Sequence, residues 1–242
     1  MAKLTLDEWI ARLKKNKSFN TNAAAIVEIP AKPGDWEDYP AWVDSRLLSV
    51  LQKRGMEKLY RHQAQAVRFI RNGQDVVLVT PTASGKTLCY NLPVLQELLE
   101  HPEARAMYLF PTKALAEDQL HEFQQMVDTL GSEVRAFTYD GDTPQDARKA
   151  IRERANVVLT NPDMLHSGIL PHHTRWAKVF EKLRYFVIDE LHYSRGVYGS
   201  HVANVIRRLK RICEFYGSSP QFICSTATIA NPLELMNWGE EP

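Results

Sequence analysis

Cysteine is scarce in this sequence. Cys89, Cys213 and Cys224 are the only three, and none forms a Cys-x-x-Cys pair. That excludes a zinc site built from paired cysteines. An odd number of scattered thiols argues for reduced, buried side chains in a cytoplasmic protein, not for a disulfide framework. An excess of one charge is missing too: 30 Lys and Arg stand against 29 Asp and Glu, a net of +1. Without a global basic field, any contact with nucleic acid must be a local patch. No apolar run reaches the ~18 residues of a membrane-spanning helix, so no membrane is expected as a partner, and the Lys-rich, amphipathic start lacks the form of a signal peptide. Repeats and low-complexity tracts are absent. What is present is an ordinary globular balance, 44% hydrophobic and 24% charged over 242 residues, enough for one or two domains with a sizeable core.

The chain is organised around Val76 to Thr87. A β-branched run, Val76-Val77-Leu78-Val79, ends in Thr80-Pro81-Thr82-Ala83-Ser84-Gly85-Lys86-Thr87. A helical pattern then carries Leu88, Leu92, Leu95, Leu98 and Leu99. Strand, loop and helix in that order are the setting of a phosphate-binding loop. Backbone N–H groups of Thr82, Ala83, Ser84 and Gly85 and of the helix start face the anion. Lys86 reaches the β- and γ-phosphates, and the Thr87 hydroxyl ligates Mg²⁺. The strict pattern has Gly where this chain has Thr80, so Pro81 is expected to hold the turn.

A second strand-like run, Phe186-Val187-Ile188, ends in Asp189-Glu190-Leu191-His192. Beside a phosphate loop, Asp189 is placed to hold the Mg²⁺ water shell and Glu190 to orient or deprotonate an attacking water. A solvated Asp-Glu loop is the bland alternative. Gln63, at the start of a helical pattern just before the first strand, offers a donor and an acceptor together, which matches the edge of adenine; a solvated amide is the alternative there. Three further strand ends repeat one design of small polar residues before a helix start: Thr112-Lys113, Gly141-Asp142 and Thr160-Asn161. Each alone reads as a helix cap. Three on one sheet edge read as a track for a nucleic-acid backbone. Tyr193-Ser194-Arg195-Gly196 suits a loop that touches phosphate or stacks a base. Ser225-Thr226-Ala227-Thr228 ends the last strand, where Thr226 and Thr228 could couple His192 and the carboxylates to the nucleic-acid side.

Around these motifs, Thr5 to Glu8 reads as a capping box opening a short helix. Residues from about Asn16 to Pro40 read as a linker, and Val43 to Arg54 as a helix closed by Gly55. Strands at Ala106–Phe110, Val134–Tyr139, Asn156–Thr160, Tyr185–Ile188 and Gln221–Cys224 are separated by helices at Lys113–Leu130, Gln145–Arg154 and Ser200–Tyr216. Alternation of this kind predicts an α/β fold, a mainly parallel central sheet with helices on both faces. Ligands of such sheets sit outside the carboxyl ends of the strands, where every motif above lies.

In this order the motifs resemble the first motor domain of superfamily 2 helicases. Tyr60-Arg61-His62-Gln63 is similar to the adenine-reading Q motif, Thr80 to Thr87 to motif I, and Pro111 to Leu115 to motif Ia. Thr160 to Leu165 is similar to motif Ib, Asp189 to His192 to motif II, and Thr226-Ala227-Thr228 to motif III. Longer strings, among them Thr-Asn-Pro-Asp-Met-Leu-His (160–166) and Gly-Ser-His-Val-Ala-Asn-Val-Ile-Arg-Arg-Leu-Lys-Arg-Ile (199–212), resemble the mitomycin repair factor A (MrfA, YprA-type) DNA helicases from about Leu47 onward. The resemblance implies a RecA-like three-layer sandwich over residues 43–242, preceded by an N-terminal helix and extension over 1–42. It implies ATP and Mg²⁺ as cofactors, single-stranded DNA as partner, and 3′→5′ translocation in DNA repair. It also implies a second RecA-like domain and a four-cysteine metal domain that this chain lacks, so a fragment holding half an ATP site is expected. Two motifs depart from the family pattern: Tyr193-Ser194-Arg195-Gly196 stands where Thr-Tyr-Arg-Gly is usual, and Thr226 where Ser is. An RNA motor of the same superfamily, or a nucleotide-binding regulatory module, are the rival readings.

Overall fold

The computed structural model describes residues 5–24, 33–81 and 84–227. Two units are described separately. In the first, Met1–Gly34, α1 (Leu6–Lys14) opens with the expected capping box: Glu8 N donates to Thr5 Oγ1 and Thr5 N to Glu8 Oε2 at 2.8 Å. The stretch expected to be a linker carries a second helix, α2 (Lys17–Asn22), because Asn16 caps it by accepting from Ser18 N and Phe19 N.

The second unit starts at Asp35, earlier than the expected Val43. Its first strand, β1 (Trp36–Glu37), pairs antiparallel with β2 (Leu59–Tyr60). Between them lies α3 (Ser45–Lys53), capped by Asp44. There follow α4 (Arg61–Arg71), β3 (Val76–Val79), α5 (Lys86–Glu100), β4 (Arg105–Leu109), α6 (Lys113–Leu130), β5 (Ala136–Thr138), α7 (Gln145–Arg154) and β6 (Val157–Thr160). The short α8 (Pro162–Met164) continues into a π-helical turn, Leu165–Ile169, and a 3₁₀ stretch, Leu170–Trp176, which the sequence pattern did not announce. Then come α9 (Ala177–Glu181), β7 (Leu183–Ile188), α10 (Gly196–Phe215) and β8 (Gln221–Thr226). Helix α10 begins at Gly196, ahead of the expected Ser200.

Strands β3 to β8 form a six-stranded sheet in the order β3-β8-β7-β4-β6-β5, every pairing parallel. The two-residue period of a strand divides its side chains between two cores. Ala106 and Tyr108 face one core with Val187, Ile223 and the helix residues Leu47, Val67, Leu95 and Phe123. Met107 and Leu109 face the other with Phe186, Ile188, Trp176, Phe180, Ile206 and Leu209. Strands buried on both faces read as the near-continuous apolar runs seen in the sequence. Among the described residues, no helix is long and apolar enough to cross a membrane.

The parallel registers set Val79 beside Thr226, Cys224 beside Ile188, Ile188 beside Leu109, and Leu109 beside Thr160. All six strands therefore end on one edge. Read in spatial order, that edge presents the loop after Val79, then Thr226, Asp189, Phe110, Thr160 and Tyr139.

Candidate functional site

Three strand ends, β3, β8 and β7, carry one half of this edge. After β3, Gly85 adopts a left-handed backbone (φ +74°) and caps α5. The loop is held by more than Pro81. The Thr80 and Ser84 hydroxyls lie 2.6 Å apart across it. Helix α4 grips it from the side: His62 Nε2 lies 3.0 Å from Ser84 O, and Gln63 Nε2 donates to Gly85 O at 3.0 Å. Lys86 is buried and folds back over the loop, donating to Thr80 O at 3.1 Å and Pro81 O at 3.2 Å. Thr82 and Ala83 lie outside the described residues.

Gln63 is therefore not an open amide. It is buried, its oxygen accepts from Tyr60 N at 2.9 Å, and its nitrogen is on Gly85. The exposed faces near it are rings: Trp36 stacks on Tyr60 at 4.0 Å, and Tyr60 on His62 at 5.7 Å. Gly85 also tolerates no side chain. A Cβ there would fall 2.5 Å from Gln63 Nε2, on a backbone that L-residues rarely adopt. Gly85→Ala is expected to cost about 1–2 kcal/mol, read as a lowered midpoint of chemical denaturation; an unchanged midpoint would contradict this clamp.

At the end of β7, Asp189 is buried and accepts three hydrogen bonds. Its Oδ1 accepts from Glu190 N at 2.9 Å and from the Ser225 hydroxyl; its Oδ2 accepts from the Tyr90 hydroxyl at 3.2 Å. Tyr90 itself is fully enclosed, and burial pushes its phenol well above the ordinary value; the Asp189 charge adds to this while the Thr87 hydroxyl pulls the other way. Glu190 stands at φ +52°, the one non-glycine with positive φ among the described residues. Such a conformation costs about 1–3 kcal/mol and clusters at functional sites. Its Oε2 is buried and makes no hydrogen bond among the described residues, with His192 Nδ1 3.1 Å away. The same His192 nitrogen lies 3.4 Å from Ala227 N. One ring nitrogen cannot donate to Glu190 and accept from Ala227 at once, so His192 links the two strand ends one at a time.

The expected coupling through Thr226 is not made by its hydroxyl. Thr226 is fully buried and its Oγ1 has no partner among the described residues, whereas the preceding Ser225 reaches Asp189. Thr228 lies outside the described residues.

Strands β4, β6 and β5 carry the other half. Thr112 and Asn161 are exposed or half-exposed, and both side chains cap helices: Thr112 Oγ1 accepts from Leu115 N at 3.3 Å, Asn161 Oδ1 from Met164 N at 2.9 Å. Thr160 differs from these two. It is buried, and its hydroxyl donates to Tyr139 O at 2.7 Å, so its side chain belongs to the sheet and not to a surface. Lys113 reaches Asp142 Oδ2 at 2.6 Å, and both are exposed. Gly141 sits beside the pair, within 3.6 Å of Lys113 Nζ for an added Cβ. Arg148 braces this turn by donating to Asp140 O and Thr143 O. The structure thus brings Lys113 and Asp142 together, with Gly141 beside them, at a cleft of about 370 Å³ that Lys113, Asp142, Pro144 and Ile151 line. Arg195 is exposed at the start of α10, beside exposed Tyr193 and Val197.

This fold and this edge define a helicase motor domain. Residues 60–236 match the DEAD/DEAH box helicase family, and the chain belongs to it. It is 54% identical over 235 residues to the ATP-dependent helicase YprA of Bacillus subtilis, covering 97% of this chain and 31% of that protein. It is 46% identical over 239 residues to the ATP-dependent helicase hrq1 of Schizosaccharomyces pombe, covering 96% and 22%. A crystal structure of the DUF1998 helicase MrfA bound to DNA and AMPPNP superposes with a TM-score of 0.88 at 54% identity, over 97% of this chain and 32% of that one. The fold is RecA-like. The chain spans about a third or less of the length of these relatives.

Proposed function

We propose that residues 43–242 are the first RecA-like domain of an ATP-dependent DNA helicase, cytoplasmic, moving 3′→5′ on single-stranded DNA in repair. Residues 1–42 are an accessory segment that carries α1 and α2. A second RecA-like domain and a four-cysteine metal domain belong to the same protein. The observation that carries the reading is the tie between α5 and β7. The helix that opens with Lys86-Thr87 is bonded through Tyr90 to Asp189, which ties the triphosphate-binding and carboxylate motifs together across the one strand, β8, that separates β3 from β7.

The residues suit ATP and Mg²⁺. An ammonium folded onto two carbonyls, beside a glycine whose Cβ would strike Gln63, leaves a cradle for a polyanion. Lys86 and the backbone of Thr82 to Gly85 hold the phosphates. Thr87 and Asp189 offer the hard oxygens that Mg²⁺ takes. Bound there, the ion neutralises charge on the phosphate oxygens. Glu190, with one buried oxygen that has His192 as its neighbour, orients the attacking water and accepts its proton. Gln63 holds the loop from the adenine side. His192 and Ser225 carry changes at Asp189 and Glu190 toward the last strand, with the hydroxyl residues Thr226 and Thr228 assigned to the same coupling role. On the other half, Thr112, Lys113, Gly141, Asn161 and Arg195 hold the DNA backbone; Lys113 exchanges Asp142 for a phosphate when it does so.

Phosphate release by the full-length protein tests this. Single-stranded DNA is expected to raise it at least about tenfold, and RNA of the same length much less. Equal stimulation by RNA would favour an RNA motor. Tight nucleotide binding that no nucleic acid changes would favour a regulatory module.

A further inference from the structure

Tyr90 is fully buried, yet its hydroxyl lies between polar groups of two different elements. Asp189 Oδ2, at the end of β7, is 3.2 Å away; Gln119 Oε1, in α6, is 3.3 Å away. A phenol has one proton to give. Both separations exceed the ~2.7–2.8 Å usual for O–H···O, as sharing between two acceptors requires. The ring is held on the same two sides. It meets Tyr108 edge-on at 5.4 Å, and Tyr108 meets Phe123 of α6 edge-on at 6.1 Å. Helix α6 is the one that Thr112 caps and Lys113 opens. Close-packed rings transmit a displacement instead of absorbing it, so a shift of α6 reaches the Tyr90 hydroxyl by a polar and an aromatic route.

We propose that Tyr90 is a positioning residue that couples nucleic-acid occupancy at the α6 N-terminus to the Asp189 carboxylate, by dividing its one proton between Gln119 and Asp189. When α6 carries Gln119 away, Asp189 receives that proton undivided and is fixed at Oδ2 as firmly as Ser225 and Glu190 N fix it at Oδ1. When Gln119 approaches, the Oδ2 contact slackens. This rests on the proposed function, in which Asp189 serves the nucleotide's metal and the α6 N-terminus a DNA backbone.

The test is a titration of the 242-residue chain with a fluorescent ATP analogue and Mg²⁺, alone and with saturating oligo-dT. The unaltered chain is expected to bind the analogue about fivefold or more tightly with oligo-dT. Gln119→Leu, whose side chain meets the site only through Tyr90 among the described residues, keeps the DNA-free affinity and loses that gain to within about twofold. Tyr90→Phe, which keeps the ring, loses the gain as well. Retention of the gain in both variants overturns the coupling. So does an equal weakening with and without oligo-dT in Gln119→Leu, the mark of a merely structural residue. So does an unaltered chain that binds the analogue but gains nothing from DNA. An unaltered chain that binds no analogue at all fails the nucleotide-site reading itself, and the coupling falls with it.

Discussion

Glu190→Gln is expected to lower ATP turnover by the full-length protein about 10²- to 10⁴-fold, the range a positioned general base contributes, while nucleotide affinity stays within about threefold. Gln keeps the shape and the backbone of the site and removes only the charge and the basic oxygen. The structure makes that oxygen the one to watch: it is buried, faced only by His192 Nδ1 at 3.1 Å among the described residues, and set on a left-handed backbone that a non-glycine enters at a cost. Glu190→Gly separates the two properties. It relieves the backbone, so the protein is expected to be at least as stable in denaturant, and it is expected to be as inactive as Glu190→Gln. Phosphate release near the unaltered rate in Glu190→Gln would remove Glu190 from the chemistry.

Lys86→Ala is expected to weaken binding of an ATP analogue about 10- to 150-fold, the loss of a charge-assisted hydrogen bond. Lys86 is buried at the start of α5 with its ammonium over Thr80 O and Pro81 O. Phosphate oxygens are better partners for a cation than neutral carbonyls, so the side chain is expected to leave the loop backbone for the ligand. An affinity within about threefold of the unaltered chain would mean that the loop N–H groups bind alone.

Much of this was legible because apolar runs, turns and helix starts are local. Val76 to Thr87 and Phe186 to His192 specify strand, turn and helix within about a dozen residues, and the structure places both on one edge. What the runs hid was sidedness. Val187 and Ile223 share a core with Tyr90 and Tyr108, and the two-residue period carries that face on to Asp189 and Ser225. Followed two residues past each apolar run, the alternation would have chosen Ser225 over Thr226 as the partner of Asp189. It would also have placed Thr160 inside the sheet. Tyr90 carries no signal of its own, since nothing in a helical period marks the tyrosine whose hydroxyl meets a carboxylate ninety-nine positions away. Gln63 illustrates the opposite limit. Its amide stands out in the sequence, but its partners, Tyr60 N and Gly85 O, come from a loop closure that only the fold supplies. The turn from Leu165 to Ile169 is π-helical, a form with no sequence period to find.

The central claim is that one sheet edge is divided, nucleotide at the ends of β3, β8 and β7 and DNA at the ends of β4, β6 and β5. Amide chemical shifts of the isotope-labelled 242-residue chain test it directly. An ATP analogue with Mg²⁺ is predicted to move signals of residues 80–87 and 189–192, and oligo-dT those of residues 111–114, 141–143 and 161–164, with the two sets largely separate. Both ligands moving the same set, or oligo-dT moving neither, would contradict the divided edge.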